Sequence, residues 1–335
     1  MKAPTASVVI GVFNRARQIV PCLESLLAST FQDFELVLVE DASTDDSAQV
    51  LARFKAAHPA HRIRIIQNER NRGASGSRNI GSDAAEGEFL LFTDSDCIVE
   101  PTWIEEMVKA FRSSGAPAVS GMVLDKPPTN LTERAYVGSC LVVRKTPNLM
   151  ESNMGYRRSL GCRLDEAIFY GEGDDLATRL RAAGHVVALA PDAVVHHQHA
   201  LHFASYMRMA RVAGRGHTLY WYKHGKLLGR DIMFAGLAVL SLPLGLVDPL
   251  LLAIPALCAS AQVAAILFNE LHYKGKPMRE ALAVLPVQLA YYAVRTASAL
   301  RTWTRIALGR ERAIGESKTR WLEERRLRLE GSAAD

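Results

Sequence analysis

The sequence has little from which to build a disulfide framework. Its 335 residues include five cysteines, Cys22, Cys97, Cys140, Cys162 and Cys258, with no C-x-x-C pair. An odd count without paired spacing predicts neither a cystine scaffold nor a zinc site, and fits a reducing compartment. A strong charge bias is missing too. The formal net charge of +5 is too small to argue for nucleic acid by itself. The start, Met1 to Ser7, lacks a charged head leading into a long apolar core and cleavage site. No secretory signal is therefore expected, and the first domain is expected in the cytoplasm. Neither G-x-x-x-x-G-K-S/T nor a G-x-G-x-x-G after the first strand occurs, which sets aside ATP-loop and dinucleotide-fold readings. Asn71 to Gly76 is Gly-rich but follows a polar stretch, and a helix is expected only from Gly76 to Ala85.

What is present begins with bulk apolar character. At 49% hydrophobic and 22% charged, the chain is not disordered, and it is long enough for a large domain plus something extra. The stretch Phe89 to Asp96 reads as a buried strand ending on two carboxylates, Asp94 and Asp96. Acids are costly inside such a strand but sensible at its carboxyl end, where open α/β sheets bind ligands. Two close carboxylates can hold a hard divalent cation together with substrate phosphates. They can equally form a turn and cap a helix.

Strands are expected at Ser7–Phe13, Leu36–Val39 and Arg62–Ile66, with helices at Gln18–Leu27 and about Ser47–Ala57 between them. Alternation of this kind predicts parallel strands with right-handed crossovers. The strand ends then bring Asn14, Arg15, Asp41, Asp94 and Asp96 to one edge of the sheet. Later strands are expected at Ala118–Val123, Gly138–Arg144 and His185–Pro191, a helix at Trp103–Phe111, and a loop at Lys126–Asn130 suited to an acceptor.

These residues resemble the family 2 glycosyltransferases, inverting enzymes with a GT-A fold. The resemblance rests on Ser7–Ile10 leading to Phe13-Asn14-Arg15, on Glu40-Asp41-Ala42-Ser43-Thr44-Asp45, on Arg78-Asn79-Ile80-Gly81, and on the D-x-D of Asp94-Ser95-Asp96. It covers roughly residues 5 to 200. It implies a mixed, mostly parallel α/β sheet flanked by helices and a nucleotide-diphosphate sugar donor. It further implies that Asp41 bonds the base, that Arg78 lies near the diphosphate, that Asp94 faces ribose or metal, and that Asp96 ligates Mn²⁺ or Mg²⁺. Asn14 and Arg15 complete the donor site.

Glu172, Asp174 and Asp175 cluster before a helix expected at Ala177–Ala183. On composition, helix capping and a catalytic base explain them equally well. The stretch is similar to the family's E-D-x-D-L segment, except that Gly173 stands where its second acid is expected. The base is then Asp174 or Glu172, with Asp174 preferred and Asp175 a helix cap. His196, His197 and His199 come next, and the resemblance implies a metal-completing histidine, His197 before His196. Surface loop histidines are the alternative.

From His199 to Arg230 the chain carries arginines, lysines and aromatics but no acid. Apolar runs lie beyond at 232–247, 249–268 and 281–300. Their length suits a bilayer, with the basic aromatic stretch as a lipid-facing collar. Either the first two runs form a hairpin with the third at the interface, or a crossing near 232–252 pairs with 281–300. A buried helical dimer interface in a soluble protein is the alternative. The expected organisation is a GT-A domain at 1–225, a membrane-associated helical region at 226–310 and a basic cytoplasmic tail at 311–335, at the inner face of the cell membrane. Membrane lipids and a glycan or lipid-linked acceptor are expected partners, nucleic acid is not. Ser317 to Trp321 lacks the Gln of the Q-x-x-R-W segment of processive synthases, so single-sugar transfer is preferred. A processive or lipid-directed synthase and a catalytically silent nucleotide-sugar-binding scaffold are the alternatives.

Overall fold

The computed structural model describes residues 2–137, 148–226, 233, 236–238 and 241–331. The expected strand Gly138–Arg144 lies outside them, as does part of the run 232–247. The chain divides into two compact units, Met1–Lys126 with Val143–His199, and Pro127–Val142 with Ala200–Asp335.

The first unit is a sheet flanked by helices. Its elements are β1 (Ala6–Val12), α1 (Ile19–Leu27), β2 (Phe34–Glu40), α2 (Ser47–Ala57), β3 (Ile63–Gln67), α3 (Gly73–Ala84), β4 (Phe89–Thr93), β5 (Cys97–Val99), α4 (Trp103–Ser114), β6 (Ala118–Asp125), β7 (Asn153–Arg157), α6 (Glu172–Ala182) and β8 (Val187–His197). The label α5 is kept for Leu131–Tyr136, a helix of the second unit. The strand order is β3-β2-β1-β4-β7-β6-β8-β5. The pairs joining β3, β2, β1 and β4 are parallel, as the alternation predicts, and β7 enters antiparallel between β4 and β6. Because β1, β2 and β4 are covered on both faces, they bury nearly every side chain and read as apolar runs. Glu35 and Glu40 are buried in β2 without being orphaned. Glu35 accepts from the Ser7 hydroxyl and the Glu86 amide, and Glu40 from the Ser43 amide.

Three local expectations change. Helix α3 starts at Gly73, not Gly76, because the Asp41 carboxylate accepts the amides of Arg72 and Gly73 at 2.8 and 2.9 Å. Its small residues answer a packing need: a Cβ on Gly81 would lie 2.4 Å from a Val9 methyl. Helix α6 starts at Glu172, so the three acids form its first turn, where the positive end of the helix dipole favours them. Residues 185–199 yield one long strand, β8, running through Pro191. The β6–β8 register jumps at Gly121/Met122, so Pro191 sits in a bulge that needs no ladder donor.

The second unit is helical. Besides α5 it holds α7 (Phe203–His224), α8 (Ala253–Phe268) continuing as a π-helical turn to Tyr273, α9 (Met278–Ala307) and α10 (Arg312–Gly331). Helix α7, which forms from the basic aromatic stretch that the expected boundary at 225 leaves in the first domain, groups with the C-terminal helices. A Cβ on Gly214 of α7 would lie 2.2 Å from the Arg295 carbonyl of α9, so the two backbones approach closely. Ala135, Leu201, Tyr206, Val284 and Val287 make a small core. The basic tail is a helix, α10, that buries Ile314 and Trp321. Among the described residues one helix, Ala253–Tyr273, is long and apolar enough to cross a membrane by length and composition, with 22% of its most apolar window buried. The run 281–300 lies in α9, which carries Pro286 and buries Gln288 and Thr296.

Candidate active site

All nine expected site residues belong to the first unit, and six of them fall into two chains of contacts about the carboxyl ends of β1 and β4. One chain runs Arg15–Asp96–His197. Asp96 lies just past β4 and accepts from His197 Nε2 at 3.1 Å, while Arg15 Nη2 lies 3.6 Å from its other oxygen. Burial alone pushes the Asp96 carboxyl up. The His197 hydrogen bond and the charges of His197 and Arg15 outweigh it and hold Asp96 below the usual range. His197 is correspondingly raised: burial opposes its charge, but Asp96 favours it. The antiparallel pairing of β5 with the end of β8 sets His197 opposite Cys97, which brings it to the D-x-D.

The second chain runs Asp94–Arg78–Glu172. Arg78 is 5% exposed and bridges the two carboxylates, with Nη2 donating to Asp94 at 2.6 Å and Nη1 to Glu172 at 2.8 Å. Burial disfavours its charge, and Asp94 and Glu172 more than restore it. Glu172 is itself pushed up by burial, against the pull of Arg78.

Asp94, Asp96, Cys97 and His197 place one ligand atom each within 4.8 Å of one another. Carboxylate oxygens with one imidazole suit Mn²⁺ or Mg²⁺. Burial and the two aspartates push the Cys97 thiol up, so it stays a neutral thiol rather than a ligand for a hard cation. The donor set therefore fits a divalent cation on Asp94, Asp96 and His197. The other histidines are engaged elsewhere: His196 Nε2 with Glu100 at 2.7 Å, and His199 Nε2 at 3.7 Å from Asp125.

Three predicted residues stand apart from these chains. Asp41 is 3% exposed and accepts from Asn68 Nδ2 as well as from the start of α3, which uses three of about four acceptor positions of a carboxylate. Asn14 is exposed, at φ +55°, and its side-chain Oδ1 accepts from the Thr44 amide. Asp174 accepts from the Asn148 side chain, and Asp175, fully buried, pairs with Arg179 at 2.8 Å. One acid was not anticipated. Glu151, just before β7, accepts from the Gly173 amide at 2.7 Å. Its only trace in the sequence is the acid missing at Gly173.

A mixed α/β sheet with paired acids after its fourth strand is the arrangement of GT-A glycosyltransferases, and the comparisons agree. Residues 7–160 match the glycosyl transferase family 2 model, and the chain carries a domain of that family. It is 34% identical over 115 residues to glycosyltransferase GlyG of Streptococcus pneumoniae, covering 34% of this chain and 38% of that one. It is 30% identical over 218 residues to succinoglycan biosynthesis protein ExoO of Rhizobium meliloti, covering 57% and 60%. The similarity thus spans less than two thirds of either relative. Among solved structures, the mannosyltransferase PcManGT from Pyrobaculum calidifontis, in complex with GDP-Man and Mn²⁺, aligns over 96% of this chain and 88% of its own with a TM-score of 0.55. At 21% identity that likeness concerns the fold.

Proposed function

We propose that this chain transfers a single sugar, with inversion, from a nucleotide-diphosphate sugar to a membrane-proximal glycan or lipid-linked acceptor at the inner face of the cell membrane. The observation that carries the reading is the convergence of Asp94, Asp96 and His197 within 4.8 Å at the sheet edge, with Arg15 on Asp96 and Arg78 on Asp94. A cation held there supplies Lewis-acid stabilisation to the departing diphosphate. The protein's own groups do the rest. Arg15 and Arg78 add positive charge beside the leaving phosphates. Asp41 fixes the start of α3 and offers its remaining acceptor position to the base. The acids about the start of α6 supply the group that takes the acceptor's proton, Glu172 and Asp174 being those expected from the sequence. The grouping of Asp94, Asp96 and His197 at the sheet edge and the relatives' names support this reading. The exposed apolar side chains of the second unit support a membrane-proximal acceptor, and the processive alternative lacks its Q-x-x-R-W segment.

The test is release of nucleotide diphosphate from UDP-glucose, UDP-N-acetylglucosamine and GDP-mannose, with and without Mn²⁺, in the presence of a membrane lipid extract. Turnover is expected only with the metal, and Asp96→Ala is expected to lower it at least about a hundredfold. Metal-independent turnover would sink the cation's role. Nucleotide binding without turnover would favour the silent scaffold, the reading that Gly173 invites.

A further inference from the structure

The acid missing at Gly173 cannot be restored at that position. A Cβ there would fall 2.1 Å from the Leu149 carbonyl oxygen, closer than any side chain tolerates. The same space is approached from the other side by Glu151. Its Oε1 lies 3.2 Å from the position of that absent Cβ and accepts from the Gly173 amide at 2.7 Å. A carboxylate therefore stands where a residue 173 side chain would project, contributed by the segment before β7.

The neighbouring acids are committed elsewhere. Glu172 is bound to Arg78, Asp175 to Arg179, and Asp174 accepts from Asn148. We propose that Glu151 is the general base of this chain, taking the place of the family's acid at position 173. The inference rests on the glycosyl-transfer reading above. In the step, the acceptor hydroxyl gives its proton to the Glu151 carboxylate while its oxygen bonds to the sugar carbon. The bond from that carbon to the diphosphate breaks, its electron pair leaves with the nucleoside diphosphate, and Glu151 later releases the proton to solvent. The charged groups acting on Glu151 are Glu172, which raises it after burial, and Arg78, which with the Gly173 amide lowers it. The balance lies above the ordinary carboxylate range. A base lifted toward the working pH is matched to this task.

Glu151→Gln keeps an acceptor for the Gly173 amide but cannot take a proton. With the full chain, Mn²⁺, the three donors named above and the lipid extract, its kcat is expected to fall at least about a hundredfold, while the Kd for UDP or GDP stays within about twofold. The acid limb of the kcat profile should vanish, and Tm at alkaline pH should be unchanged or higher. Glu151→Asp should recover part of the rate with a shifted acid limb. Turnover within about threefold of wild type would overturn the assignment. So would a rate loss matched by weaker nucleotide binding and a lower Tm, because that is the signature of a structural acid. A wild-type chain that binds nucleotide but turns over none of the donors would overturn the transfer reading itself, and the role of Glu151 with it.

Discussion

Each unit of the molecule buries one charge between two of the opposite sign, and the two clusters are built to different ends. In the first unit the cation Arg78 lies between Asp94 and Glu172. In the second the anion Glu270, fully buried, lies between Lys274 at 2.8 Å and Lys276 at 2.6 Å, with Gln288 donating to it at 2.9 Å. The surplus donors of that second cluster end on backbone. Lys274 and Gln288 both donate to the Ala135 carbonyl and Lys276 to that of Arg134, so together they satisfy the last turn of α5. It is a closed joint between helices. The Arg78 cluster ends instead on Asp94, whose side chain is 31% exposed and is itself one of the candidate metal-ligating group. A buried charge cluster marks a site when one of its members still has somewhere to go.

The comparison breaks most directly by deleting the central charge of each cluster. Arg78→Met leaves Glu172 buried without its cation, and Glu270→Ala leaves two nearly buried lysines without their anion. Each is expected to cost about 3–5 kcal/mol. Chemical denaturation in mild detergent measures that cost. Turnover separates the two: Arg78→Met should abolish it under conditions where the protein remains folded, whereas the folded fraction of Glu270→Ala should turn over normally. Equal loss in both at matched folded fraction would remove the distinction between open site and closed joint.

A smaller effect sharpens the picture of the first unit. Gly173→Ala forces a methyl group against the Leu149 carbonyl and should cost about 1–3 kcal/mol by overpacking. Loss of stability without any change in rate would place the Leu149 segment outside the reaction. The pH dependence reads the same corner. Glu151 and Glu172 titrate above their unfolded values, so the folded state holds more protons. Stability should therefore fall as pH rises from the ordinary carboxylate range through their raised values. His197, also raised, adds to the fall because its favourable pairing is lost as pH climbs through its folded value. Glu151→Gln should flatten the profile. A steeper fall in that variant would show that the Glu151 charge stabilises the fold.

Much of the first unit is legible in the sequence, and the rest is hidden for physical reasons. Strands β1, β2 and β4 announce themselves because both faces are covered. Asp94, Asp96 and Arg15 are found at the polar residues that terminate these buried parallel strands. Strand β7 stays hidden because it begins with Asn153, a polar residue that is fully buried. Its amide is satisfied by Trp103 Nε1 and by the carbonyls of Met122 and Ala193, partners far away in sequence. The start of α3 is hidden likewise, since its capping carboxylate is Asp41 and not a neighbour. Glu151 is the strongest case. No local spacing singles it out, and only the close approach of Leu149 to Gly173 explains why an acid is absent from one segment and present on another. His197 is found from the sequence by resemblance, and the β5–β8 pairing that delivers it is three residues long.

The last difference between the units lies at their surfaces. The first unit buries most of its large apolar side chains in the layers about its sheet, with Val186 the most exposed at 69%, whereas the second leaves Leu246, Val247, Leu250 and Leu257 between 70% and 91% exposed. Side chains so exposed contribute little to folding, so Leu246→Ser with Leu250→Ser should change stability by no more than about 0.5 kcal/mol. In a bilayer the same groups would be buried, at about 1.5–3 kcal/mol for each fully buried leucine. Flotation with vesicles of mixed neutral and anionic lipid should therefore show the double variant released at least about tenfold more readily than wild type. Equal flotation with a lower Tm would reverse the reading, because these leucines would then be covered by protein rather than by lipid.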